Sequence, residues 1–299
     1  MHDMPQNLQS MRNAKIFSFI AAACSASVGI FSKGAFNSGL EPMHVAFYKT
    51  LLAFIIVSIF VLLSSNFRND VLSMAKNAMR ISLCAFFGIF ILYNFETLAY
   101  AYEYISTVTF ILLSTCTITT IIFSCTLLSE KIGMCNVFSS AFCLIGLWLL
   151  FNNPNISLAN MGGILATIAG IGYGLFLVLT KKYAISCSIF AYLWWLLGFG
   201  TLFLAFPFLL NNPSIPSLRS LIFISPLSVF PTILGFYCTT KALTYTKVSK
   251  IQIYELAEPI FASLFAFIIF GEHPSMTTIA GGIFILFAIY HEQLSVSSI

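Results

Sequence analysis

The chain has 299 residues, of which 59% are apolar and 8% charged, with 14 Lys and Arg against 10 Asp and Glu and a mean hydropathy of +0.95. A soluble domain carries roughly 25% charged residues, so a water-soluble enzyme is excluded and a polytopic membrane protein is expected. The apolar runs are long and continuous instead of alternating with a period of two, which argues against a transmembrane barrel.

Met1 to Lys15 is polar, and the first apolar run continues as a full span, so no cleavable leader is expected. A spanning helix needs about 20 mostly apolar residues. The sequence predicts ten of them, at 16–35, 44–64, 80–101, 106–129, 134–151, 161–181, 188–210, 220–241, 251–270 and 276–291. Turn-forming clusters separate them, among them Asn37-Ser38-Gly39, Ser64-Ser65-Asn66, Asn152-Asn153-Pro154-Asn155 and Asn211-Asn212-Pro213. The third and fourth spans part near Glu103.

Basic residues set the orientation. With a cytoplasmic N-terminus, the inner segments hold Arg12, Lys15, Arg68, Lys76, Arg80, Lys131, Lys181, Lys182, Lys241, Lys247 and Lys250, and the outer segments hold only Lys33 and Arg219. So uneven a division is the positive-inside pattern. It places both termini inside, and an odd number of spans would have blurred it.

Five helices per half is an odd number, so a duplicated half would enter the membrane in the opposite sense. A shift of 142 residues brings Ser129-Glu130 onto Gly271-Glu272, each pair closing a hydrophobic helix. Short polar links and Gly-bearing helices follow both, at Gly146 and at Gly281-Gly282. Each half also opens with a small-residue helix ending in lysine, at Lys33 and at Lys181-Lys182.

These residues resemble the drug/metabolite transporter superfamily, EamA type. The likeness runs from about residue 14 to 292 and is clearest at Leu256-Ala257-Glu258-Pro259-Ile260-Phe261-Ala262, then Phe270-Gly271-Glu272 and Ala280-Gly281-Gly282. In the first half, Lys33, Pro42 and Lys49 are similar to the family's K…P…R spacing. Lys49 stands where Arg is usual, Ser25 where Trp is usual, and Cys116-Thr117 where a Pro is common. The resemblance implies an all-α membrane protein, ten transmembrane helices in a 5+5 inverted repeat. The expected organisation is a cytoplasmic tail at 1–15, a first repeat at 16–151, a second at 161–291 and a cytoplasmic tail at 292–299. It also implies a central cavity between the halves, where such carriers bind substrate near the midplane.

Ionisable groups inside a bilayer are costly and mark functional or structural anchors. Glu258 and Glu255 fall within the ninth span, three apart. They read either as carboxylates that bind a cationic group or take up a proton, or as groups satisfied by Lys, Tyr or backbone donors that lock the helices. Pro259 withholds a backbone donor from the carbonyl of Glu255 and should kink that helix. Lys49 and Glu96 lie at similar depths on neighbouring helices, which suits an ion pair or, for Lys49, a substrate carboxylate. Tyr93, Asn94, Trp194, Tyr237 and Tyr254 are the further candidates to line the cavity, with Tyr100, Tyr173 and Trp195. Glu130 and Glu272 read as repeat marks whose carboxylates cap helix N–H groups. Gly162, Ala166, Gly170 and Gly174 present a small residue at every fourth position, a close-packing surface.

No CxxC, HExxH or phosphate loop occurs, so no metal, no cofactor and no catalytic set is expected, and an enzyme or a channel is disfavoured. The reading is a secondary transporter of a small metabolite, an amino acid or related compound. The alternative is an importer or exchanger of a cationic metabolite such as S-adenosylmethionine. The expected partners are that solute, a proton or counter-substrate and the lipid bilayer, with no nucleic acid, in a monomer or weak homodimer. The expected location is the bacterial inner membrane.

Overall fold

The computed structural model describes residues 3–151, 160–183, 188–270, 273 and 275–297. Among them every regular element is helical. In chain order these are α1 (Asp3–Ser25), α2 (Val28–Asn37), α3 (Pro42–Leu63), α4 (Ser65–Met74), α5 (Ala78–Ala85), α6 (Leu92–Tyr102), α7 (Ile105–Leu128), α8 (Met134–Phe151), α9 (Met161–Tyr183), α10 (Ile189–Leu210), α11 (Leu218–Leu227), α12 (Phe236–Tyr245), α13 (Val248–Glu255), α14 (Glu258–Phe270) and α15 (Met276–Ser297). Two π-helical segments, Phe86–Ile91 and Ser228–Gly235, join α5 to α6 and α11 to α12.

Grouped by continuity, these elements form ten hydrophobic segments. Eight are long and apolar enough to cross a membrane: Gln9–Asn37, Pro42–Leu63, Ser65–Tyr102, Ile105–Leu128, Met134–Phe151, Met161–Tyr183, Ile189–Leu210 and Leu218–Tyr245. The ninth, expected as one helix kinked by Pro259, departs further from a continuous run. It is broken at Leu256-Ala257 into an 8-residue and a 13-residue helix. Pro259 explains this, since it has no N–H for the carbonyl four residues back and its ring collides with that carbonyl. The apolar stretch of α15, Met276–Glu292, is shorter than the eight. Segment one also breaks, at Ala26-Ser27, where the Ser27 hydroxyl donates to the Cys24 carbonyl at 2.7 Å. Residues 65–79, expected as a loop, are mostly helical. There α4 turns Val71 and Met74 inward, and Trp195 Nε1 donates to the Val71 carbonyl at 3.0 Å.

The links gather at two opposite ends. At the basic end, Lys247 Nζ donates to the Lys131 carbonyl (3.1 Å), Lys181 Nζ to the carbonyls of Leu243 (2.6 Å) and Thr246 (3.0 Å), and Ser10 to that of Tyr245 (3.0 Å). At the other end, Ser38 bonds Ser220 (2.8 Å), Tyr48 the Ser214 carbonyl (2.8 Å), and Asn160 the Glu103 carboxylate. The two halves therefore run through the helix bundle in opposite senses.

The π-segments follow the repeat. Phe86 and Ser228, where they begin, are 142 residues apart, the same offset that aligns Glu130 with Glu272. In the second of them Pro231 has no N–H to give, and the Thr232 hydroxyl donates to the Leu227 carbonyl at 2.8 Å. Backbone polar groups have no water to turn to in a bilayer core, so such substitutes are what make a proline tolerable there.

Where α8 crosses α15 the backbones nearly touch. A Cβ at Gly281 would lie 2.5 Å from both the Gly146 carbonyl oxygen and the Leu150 nitrogen, whereas one at Gly282 meets nothing within 4 Å. Gly281→Ala is therefore expected to destabilise the protein by about 1–3 kcal/mol, the usual cost of overpacking, and Gly282→Ala to leave stability unchanged. Thermal unfolding in detergent reads the difference between the two neighbours.

Candidate functional site

Six of the ten segments converge on one interior cavity of about 40 Å³. Ser25 and Val28 come from either side of the break in segment one. Leu92, Tyr93, Glu96 and Tyr100 come from α6, Thr109 and Leu112 from α7, and Tyr173 and Phe176 from α9. Pro231, Gly235, Phe236 and Thr239 come from the second π-segment and α12, and Glu258 from the start of α14. Both halves contribute, and the helix irregularities (two breaks and a π-segment) sit in its walls. Non-helical backbone at membrane depth is tolerated where it lines a cavity. The space holds about three waters. A recess of about 410 Å³ lies toward the end that carries Lys33 and Tyr104, lined also by Ala26, Pro259 and Ala262, and Thr109 belongs to both.

The charged groups occupy three environments. Lys49, fully buried, places its Nζ 3.9 Å from Glu96 Oε2 and 3.6 Å from the centre of the Tyr93 ring. The ring face supplies a second attraction for the ammonium. Glu96 Oε1 also accepts from the Tyr100 hydroxyl at 3.3 Å. Lys49 is thus behind the wall, and Glu96 is in it. Tyr93 reaches across the two halves, donating to the Thr232 hydroxyl at 3.2 Å.

Glu255, the last residue of α13, is buried behind the wall. Tyr173 donates to its Oε2 at 2.8 Å and Thr239 to its Oε1 at 2.6 Å. Glu258, the first residue of α14, faces the cavity. Among the described residues no hydrogen bond or ion pair reaches its carboxylate.

Of the other residues singled out from sequence, Asn94 is buried outside the cavity, with its Oδ1 unbonded among the described residues. Trp194 donates to Ser58 at 2.9 Å and packs on Phe54, Tyr237 packs on Phe190, and Tyr254 is buried against Phe19. None of these three lines the cavity. Glu130 does cap a helix, though not the one that follows it: its Oε1 accepts from the Val248 N–H at the start of α13, at 3.1 Å. Pro259 is buried at the second position of α14. Glu272 lies outside the described residues. Sequence reasoning did not single out Thr109, Thr239, Phe176 or Phe236. The run Thr239-Thr240-Lys241, polar within an apolar helix, was the one signal for Thr239.

The sequence profile of the EamA-like transporter family matches residues 13–152 and again residues 160–291. A protein of Archaeoglobus fulgidus described as "Uncharacterized transporter" is 29% identical over 160 residues, which is 54% of this chain. The aligned stretch spans 57% of that relative. A solved structure known only as "Crystal structure of protein" superposes with a TM-score of 0.77 at 16% identity, covering 94% of this chain and 97% of its own. That likeness is one of fold.

Removing one partner of a buried ion pair strands the other, at a cost of about 3–5 kcal/mol. Lys49→Met and Glu96→Gln are each expected to lose stability on that scale, and the double variant to recover most of it. Thermal melts of the four proteins give the coupling directly.

Proposed function

This chain belongs to the EamA-like transporter family, and on that premise we propose that it is a secondary active transporter moving a small metabolite with a cationic group through the central cavity. The observation that carries this reading is the carboxylate of Glu258. It is a cavity group at membrane depth without a hydrogen-bond or ion-pair partner among the described residues, while the charge of Glu96 is matched by Lys49. A carboxylate so placed needs a positive partner, and a substrate ammonium supplies one.

The leading substrate class is an amino acid or related compound. The rings of Tyr100 and Tyr173 in the cavity wall favour a second reading, import or exchange of a permanently cationic metabolite such as S-adenosylmethionine, because aromatic rings attract cations lacking acidic protons. Alternating access suits the arrangement of the ends. Links among Lys181, Lys247, Glu130 and their backbone partners tie the basic end shut, and the larger recess lies toward the opposite one. A cavity of about 40 Å³ must widen to admit a metabolite, as rocking of one bundle against the other would allow. We place the protein in the bacterial inner membrane with both termini cytoplasmic, its repeats at 16–151 and 161–291, on the distribution of basic residues and the shift of 142.

Thermal stabilisation of the purified protein by a panel of amino acids, amines, nucleosides and S-adenosylmethionine identifies the class, and counterflow of the stabilising compound in proteoliposomes tests the carrier. Saturable counterflow is expected, at least tenfold lower in Glu258→Gln with membrane insertion intact. Non-saturating conductance, or wild-type counterflow in Glu258→Gln, would overturn the assignment.

A further inference from the structure

We propose that Glu255 carries the proton that couples the transport cycle, leaving Glu258 to meet the substrate. The inference rests on the carrier reading above and assigns its coupling ion. The two carboxylates stand on opposite lips of the break in the ninth segment. Glu255 ends α13 and Glu258 begins α14. A helix C-terminus carries partial negative charge and an N-terminus partial positive charge. Glu258 therefore sits where an anion is supported, and Glu255 where it is opposed.

The surroundings of Glu255 agree. It is 3% exposed, and both of its oxygens are met by neutral hydroxyls, Tyr173 and Thr239. The titratable groups facing it are Tyr173 from α9, Cys116 from α7, Cys238 from α12 and Glu258 on its own segment, with Cys24 of α1 beside Cys238. From α8 and α15 the polar groups that reach α13 are Asn136 and Glu292, and Glu292 pairs with Lys250, five residues from Glu255 toward the basic end, at 3.4 Å. Among the described residues no cation faces Glu255.

A carboxylate buried behind the wall without a cation is neutralised by binding a proton, whereas Glu258, half-buried at a helix N-terminus, opens on a cavity that holds water. Two hydroxyl donors keep the ionised form within reach when that proton leaves. Glu96 lacks this freedom, since Lys49 already balances it.

Geometry also links the proton to the substrate. Tyr173 and Thr239 hold Glu255, and both line the cavity. When a proton adds to one Glu255 oxygen, that oxygen becomes a donor, and the hydroxyl facing it must turn its own O–H away. The wall then changes its hydrogen-bonding face toward the cavity. When the carboxylic acid releases the proton, the hydroxyl turns back. One proton is taken from one side and given to the other, with no other bond made or broken.

Infrared difference spectra of the protein in liposomes, recorded across a pH titration without substrate, test the assignment. On acidification to about pH 6, above the range in which exposed carboxylates take up protons, the carbonyl band of a protonated carboxylic acid is expected in the wild type and in Glu258→Gln, and not in Glu255→Gln. A band that persists in Glu255→Gln overturns the proposal. Should Glu255→Gln fail to fold, Tyr173→Phe decides: the band must shift in frequency because the bonded hydroxyl is gone, and an unshifted band overturns it.

Proton movement gives the functional arm. Proteoliposomes with a trapped pH dye receive an equimolar mixture of the protein amino acids and S-adenosylmethionine. An internal pH change is expected in the wild type and at least a tenfold smaller one in Glu255→Gln, whose thermal stabilisation by the same mixture persists. Stabilisation and counterflow without any wild-type pH change would sink the proton assignment alone. Absence of both would sink the carrier reading instead.

Discussion

Pro259 cannot donate a backbone hydrogen bond to the carbonyl of Glu255, and the architecture of the site follows from that missing bond. In water a broken helix exposes its polar ends to solvent; in a bilayer core those ends must face a cavity or another part of the protein. The break at Leu256-Ala257 meets this condition by opening onto the space between the halves, where the break at Ala26-Ser27 arrives from the other side. Segments one and nine are thus irregular where the cavity lies. A continuous ninth helix would have put Glu255 and Glu258 on one face, in one environment. The break separates them, one held by two hydroxyls behind the wall and the other exposed within it.

The repeat supplies the frame and the chemistry departs from it. The π-segments beginning at Phe86 and Ser228 keep the 142-residue register, and Tyr93 bonds Thr232 across the two. On the same register, Glu258 corresponds to Cys116, Glu255 to Leu113 and Glu96 to Cys238. Each carboxylate of the site thus has an uncharged counterpart. Likewise α7, the counterpart of the broken α13 and α14, runs unbroken from Ile105 to Leu128. A duplicated scaffold with its acids on unmatched positions gives one asymmetric site near the middle, where a symmetric pair of sites would have doubled the cost of buried charge.

Much of this was legible in the sequence, because bilayers impose strong rules. Ten apolar runs, one lopsided distribution of lysine and arginine, and a few acids inside the runs follow from the cost of burying polar groups, and that cost acts on single residues. Glu258, Glu96 and Lys49 stood out for this reason. What stayed hidden depends on rotation of helices about their axes. Trp194 and Tyr237 are as aromatic as Tyr100 and Tyr173, yet they turn toward Ser58 and Phe190 while the tyrosines face the cavity. For Thr239 the polar run Thr239-Thr240-Lys241 was a faint signal, since a threonine can satisfy itself on its own helix backbone without bonding a carboxylate 16 residues away. The first π-segment has no proline to announce it.

The three carboxylates then divide the electrostatic work by what each can reach. Glu96 is held by Lys49, whose ammonium lies against the Tyr93 ring, and that ring in turn is fixed to Thr232 of the other half. This chain of contacts pins the ion pair at the junction of the repeats. Among the described residues Glu255 and Glu258 have no such counter-ion, and they lie on either side of one helix break. Whatever neutralises one changes the field at the other, because a like charge three residues away in a medium of low dielectric is felt strongly. On the reading proposed above, a proton at Glu255 and a cationic group at Glu258 would compete through a few atoms of shared backbone, and that competition would couple their movements.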